Sequence, residues 1–301
     1  MALTVLLATA AGVLFERRFS GAGATARGIL QLMLYVLVPF VSFVNIAHLH
    51  LTVSGATGLL LAHLATAVAG VAAWAAGRAL ALDRPGTGAL ICSVILVNTG
   101  YLGLPMTVTL LGPSHLPAAI AYDQLVGAPI LFLAGFAVGA AYGTRAGEGL
   151  RARSRAFLTR NPPLLAVLAG LAAPAALAPG PLLQASHVVV AALLPLGFLV
   201  VGINISAERR EDAAPLLERP SRPVVVAVAL RLLVASSLLS AISLTLLHLP
   251  SPYLLQAAMP CGINALLVGH AFGLDQRMIA TAIVWSTTVA IIVASAVVAL
   301  G

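Results

Sequence analysis

Long apolar runs, one after another, constrain this chain more than any other feature. Stretches of about 18 or more apolar residues recur from end to end, and each is enough to cross a hydrocarbon core roughly 30 Å thick. Only 8% of the residues are charged, against about a quarter in a soluble domain. The pattern is that of an all-α polytopic membrane protein. Hydropathy predicts ten spans, at about 1–15, 28–47, 53–77, 87–111, 117–141, 162–178, 186–206, 223–247, 251–272 and 278–300.

The sixteen basic residues, all arginine, sort by the gaps between these spans. Arg17, Arg18 and Arg27 fall in the first gap, Arg78 and Arg84 in the third, and Arg145, Arg151, Arg153, Arg155 and Arg160 in the fifth. The seventh gap holds Arg209, Arg210, Arg219 and Arg222, and the ninth holds Arg277. Fifteen of the sixteen thus lie in odd-numbered gaps, none lies in an even one, and eight of the nine acids share the odd gaps. The positive-inside rule then puts the odd gaps in the cytoplasm and both termini outside. The expected location is the plasma membrane, the inner membrane if the source is bacterial, as an all-arginine, alanine-rich composition suggests. In a soluble protein a net charge of +7 would raise nucleic acid as a partner. Here that charge is spread over loops facing anionic lipid, so no nucleic-acid partner is expected. Cys92 and Cys261, far apart and in apolar surroundings, read as small core residues. The first apolar run lacks the basic leader of a signal peptide, so it reads as a retained, short first span.

The longest predicted loop, 142–160, divides the chain into residues 1–141 and 161–301, five spans each. An odd number of spans makes the second unit enter the membrane in the opposite sense, which is the arithmetic of an inverted repeat, a common plan of secondary transporters. Irregularities fall in matching places. Span four carries "NTGYLGLP" (98–105) and span nine "LQAAMPCGINALLVG" (255–269), while Pro39 and Pro195 mark spans two and seven. Proline removes a backbone donor and glycine permits non-helical angles. Such backbone persists in a membrane only when buried in protein or lining a wet cavity. What a break offers is two half-helix ends, with about +0.5 charge where N–H groups are free and about −0.5 where carbonyls are. Two breaks meeting near the midplane would build a polar binding site from Asn98, Thr99, Gly100, Tyr101, Gly103 and Pro105 with Pro260, Gly262, Ile263 and Asn264.

At these residues the chain resembles the auxin efflux carrier family, which includes plant PIN proteins and bacterial malate and malonate permeases. The likeness spans nearly the whole chain and rests on "LMLYVLVPF" (32–40), "NTGYLGLPM" (98–106), "NPPLLAVLAGL" (161–171), "LLPLGFLVVGINI" (193–205), "LQAAMPCGINALLV" (255–268) and "WSTTVAII" (285–292). It implies a ten-helix, NhaA-like fold shared with the bile acid:sodium symporters. Spans one, two, six and seven would form a scaffold, and three to five with eight to ten a transport domain in which spans four and nine cross. It further implies homodimers through the scaffold, elevator-type movement and small organic anions, mono- or dicarboxylates, as substrates. The central loop of about twenty residues is far shorter than that of full-length plant carriers, so control through its phosphorylation is not implied.

Outside the breaks, Asp123 is the only acid inside a predicted span, with Gln124 beside it. Intramembrane carboxylates are functional candidates by default. Asp123 is a protonation site or cation ligand for H+ or Na+ coupling, or else an interfacial carboxylate reaching outer water. Arg231 is the only arginine inside a span. Three readings are open for it: snorkelling to the interface, pairing with Asp123, or attracting a substrate carboxylate. Asn45 and Gln256 either face the site or hold helices together. Five of the seven histidines, His48, His50, His115, His187 and His248, lie in or beside outer gaps and read as interfacial. No metal-binding, Walker-type or hydrolase motif occurs, and no paired carboxylates, so neither enzymatic activity nor a metal is expected. Besides an organic-anion carrier, two alternatives remain: a sodium-coupled carrier like the bile acid symporters, and a membrane sensor that binds its ligand without moving it.

Overall fold

The computed structural model describes residues 2–49, 52–145, 162–212 and 219–300. His50 and the arginine-rich stretch from 146 to 160 lie outside the described residues. Those described form helices and no strand. In chain order they are α1 (Ala2–Arg18), α2 (Ala22–Ile46), α3 (Val53–Ala79), α4 (Arg84–Ile95), α5 (Leu104–Leu110) and α6 (Pro113–Tyr142). There follow α7 (Pro162–Ala172), α8 (Gly180–Asp212), α9 (Arg222–Thr245), α10 (Ser251–Ala257), α11 (Asn264–Phe272) and α12 (Gln276–Leu300). Six helices, α2, α3, α6, α8, α9 and α12, are long and apolar enough to cross a membrane. The structure is that of an α-helical membrane protein.

The packing runs opposite to that of a soluble helix bundle. On α3, Ala62, Ala65, Ala69 and Ala73 are buried, whereas Leu60, Leu64, Val68 and Val71 are exposed. Lipid tails are as apolar as leucine, so large side chains gain nothing by turning inward, and small ones let helices approach. The same logic brings α1 against α8, where a β-carbon on Gly12 would meet the Leu199 carbonyl and one on Gly202 the Thr9 carbonyl. The largest apolar core draws on α3, α4, α6 and α9 to α12. A second joins α2, α7 and α8 with the starts of α5 and α6.

Three prolines share one local device. Five-residue π-helical turns at Met33–Leu37, Thr99–Gly103 and Asp123–Gly127 each precede, by the same offset, Pro39, Pro105 and Pro129. A proline ring clashes with the carbonyl four residues back and donates nothing to it, and a wider turn relieves that clash. Pro195 has no such turn and lies within the helix α8.

Candidate functional site

The two interrupted stretches meet. α4 stops at Ile95, and Leu96 turns to extended backbone, φ −91° and ψ 110°. α10 stops at Ala257, and the links after both helices run antiparallel to each other. Asn98 N donates to Pro260 O at 2.9 Å, and Gly262 N donates to Leu96 O at 2.8 Å, so Val97 and Cys261 form an isolated β-bridge. A β-carbon on Gly262 would lie 2.8 Å from Val97 O, so this approach requires glycine. Cys261 N donates to Ser286 Oγ of α12 at 3.1 Å. The broken backbone thus finds its partners in protein, where lipid offers none.

Beside the bridge lies a cavity of about 250 Å³. Asn98, Thr99, Gly100 and Tyr101 line it from the first break, Gly262, Ile263 and Asn264 from the second, and Asp123 and Gln124 from α6. Asp123 opens the π turn of α6. Its Oδ1 accepts a hydrogen bond from Thr99 Oγ1, and its Oδ2 accepts one from Gln124 Nε2 at 2.6 Å. Asn98 Oδ1 accepts from Leu102 N at 3.3 Å, which leaves its buried Nδ2 without a partner among the described residues. Gln124 Oε1 is likewise buried and unanswered. The other walls are largely apolar, with Leu30, Leu34 and Val38 from α2 and Leu131 and Phe132 from α6. Among the described residues lining the cavity, none is cationic. An amide donor and a carboxylate therefore share one end of a small, mostly apolar chamber. An anion bound there needs its charge offset, by a proton or cation at Asp123 or by the N-terminal end of α11 at Asn264, which has no side-chain cap.

The remaining sequence candidates do not line this cavity. Gly103 faces Gln256, whose carboxamide occupies the space a β-carbon at Gly103 would take. Gln256 is fully buried, and neither Oε1 nor Nε2 has a partner. Pro105 lies in the first turn of α5, and Pro260 serves through its carbonyl in the bridge. Asn45 Nδ2 donates to Val41 O at 2.8 Å and to Ser186 Oγ at 3.0 Å, which ties α2 to α8. Arg231 is only 1% exposed, so it does not snorkel. It forms no ion pair with Asp123 either. Its Nη1 donates to Val94 O at 2.6 Å and its Nη2 to Ala257 O at 2.5 Å, on the ends of α4 and α10.

Several residues of the cavity carry no sequence signal beyond apolarity, among them Leu30, Leu34, Leu131 and Phe132. Gly127 was also passed over. A β-carbon there would stand 3.0 Å from Thr99 Oγ1, so its smallness gives Thr99 room to reach Asp123. The histidine nitrogens His48 Nδ1 and His63 Nδ1 contact carbonyls of their own helices, Val44 O at 3.0 Å and Leu59 O at 2.9 Å. Among the described residues, no group of three histidine, cysteine or acidic side chains is placed to hold a metal. Cys92 and Cys261 are buried free thiols.

The fold and the site define a class, an α-helical membrane protein with a polar chamber built at paired helix breaks. No protein-family model matches the chain, and no curated protein matches it significantly.

Proposed function

We propose that the protein is a secondary carrier that moves a small organic anion by alternating access, as its resemblance to the auxin efflux carriers implies. In this reading ten spans form two inverted five-helix repeats, 1–141 and 161–301. Each break lies in an equivalent span. The helices of spans one, two, six and seven make a scaffold through which two copies pair, and the rest carry substrate in an elevator movement. Both termini face away from the cytoplasm.

One observation carries the proposal: the two breaks pair backbone to backbone beside a partly open cavity holding an unanswered amide donor and a carboxylate. A lone kinked helix would need neither the pairing nor the cavity. Asn98 Nδ2 is free to donate to a substrate carboxylate, and the apolar wall from α2 accepts the substrate's body. With no cationic side chain lining the chamber, a proton or sodium ion taken up at Asp123 keeps the loaded chamber near neutral.

Counterflow in proteoliposomes with malate, malonate, indole-3-acetate and a bile acid tests the reading. At least one carboxylate exchanges across the membrane, and Asn98→Ala abolishes that exchange while leaving the protein folded. Binding of a carboxylate without exchange makes the protein a sensor instead. Full exchange by Asn98→Ala rejects the site.

A further inference from the structure

Breaking two helices orphans particular carbonyls, and the structure shows which. In an unbroken helix the N–H of residue 98 would bond Val94 O and that of residue 261 would bond Ala257 O. Asn98 N is instead given to Pro260 O, and Cys261 N to Ser286 Oγ. Val94 O, one residue before the end of α4, and Ala257 O, at the end of α10, are thereby left for another donor. Arg231 supplies it to both. Its planar fork spans the junction, one amino group on each carbonyl, a geometry that a point-charge ammonium cannot reproduce in full.

The charges also match. A helix C-terminus carries about half a negative charge, so two of them together balance about one cation. Arg231 is buried in the middle of α9, and among the described residues no acidic side chain forms an ion pair with it. A buried guanidinium without a counter-charge is strongly unfavourable, so the helix ends are its counter-charge. Oxygen ligands gathered at paired helix C-termini are also what an alkali cation would seek.

We propose that Arg231 is the resident cation of the crossover. Its guanidinium fills the place between two carbonyl-bearing helix ends that an exchangeable sodium ion would otherwise occupy. The protein therefore folds and works without sodium at that junction, and any ion that travels with substrate is taken up at Asp123. The transport half of this inference rests on the carrier reading; the stability half does not.

The test is thermal unfolding of the purified full-length protein at constant ionic strength in sodium, choline or low-millimolar guanidinium chloride. With Arg231 in place, Tm of Asp123→Asn is the same in sodium and choline. Arg231→Ala unfolds at lower temperature and regains about 3 °C or more in guanidinium or sodium but not in choline, as a ligand binding only the folded state requires. Arg231→Lys keeps most of the wild-type Tm, whereas Arg231→Met, similar in size and uncharged, does not. Should Arg231→Ala fail to fold, the lysine and methionine variants still decide. Equal stability of those two overturns the proposal, as does a saturable rise of Tm with sodium that persists in Asp123→Asn. Uptake by proteoliposomes needs no sodium at the junction, and sodium-dependent uptake that persists in Asp123→Asn likewise overturns it. If no carboxylate enters at all, the carrier reading fails and the unfolding comparison still stands.

Discussion

The two breaks meet as partners yet do different work. The first carries the chemistry. Asn98, Thr99 and Tyr101 present side chains to the cavity, and Thr99 holds Asp123. Its chain resumes through a π turn whose N–H at Leu102 is answered by Asn98 itself. The second break carries the shape. It contributes the carbonyl of Pro260, the bare backbone of Gly262 and an N–H bonded to Ser286. A site of this kind need not be symmetric in side chains, because the pairing needs only backbone from both sides. Once one strand of the pair is fixed, the other is free to diversify.

That division is open to direct test. The largest effect is expected at Gly262. A β-carbon there meets backbone that cannot move aside, so Gly262→Ala costs about 3 kcal/mol by overpacking and removes transport, read by thermal unfolding and uptake together. Gly103→Ala is the contrast. Its β-carbon meets only the end of the Gln256 side chain, which has torsions to yield, so the cost is about 1 kcal/mol. Equal losses in the two variants would erase the distinction between a rigid and a yielding side of the junction. Next comes Thr99→Val, which keeps the volume and removes a hydrogen bond to the Asp123 carboxylate. Bonds to charged groups contribute about 1.5–3 kcal/mol, so Tm falls by a few degrees and uptake at low substrate falls roughly tenfold. The smallest effect on transport is expected at Asn45, whose bonds lie between α2 and α8. Asn45→Ala lowers stability by about 1–2 kcal/mol and leaves substrate affinity unchanged, since Asn45 does not line the cavity.

The break residues were legible because their chemistry is local. "PCGIN" spans the second break, whereas of "NTGYLGLP" only Asn98 lies in the first; the link is residues 96–98, and Gly100, Gly103 and Pro105 fall in the π turn and the first turn of α5 that follow it. Nine of the candidate residues, Asp123 and Gln124 among them, come together at the cavity. What was not legible depends on partners distant in sequence. Asn45 and Asn98 are the same residue type in similar apolar surroundings, yet one is used to hold a helix pair and the other opens onto a chamber. Arg231 had three readings in the sequence, and its true partners are main-chain carbonyls, which leave no mark on residue identity. The apolar walls from Leu30, Leu34 and Phe132 are indistinguishable by type from leucines and phenylalanines that face lipid.

By itself, then, the order of residues settled that this chain lives in a membrane as helices and that two of its stretches are interrupted. Helical continuity and apolar length are properties of neighbours along the chain. Only the folded arrangement decided that the breaks pair, that a carboxylate and an amide share one chamber, and that a lone arginine bridges both helix ends. Those outcomes turn on which backbone atoms lose their own helical partners and what lies within hydrogen-bonding reach when they do.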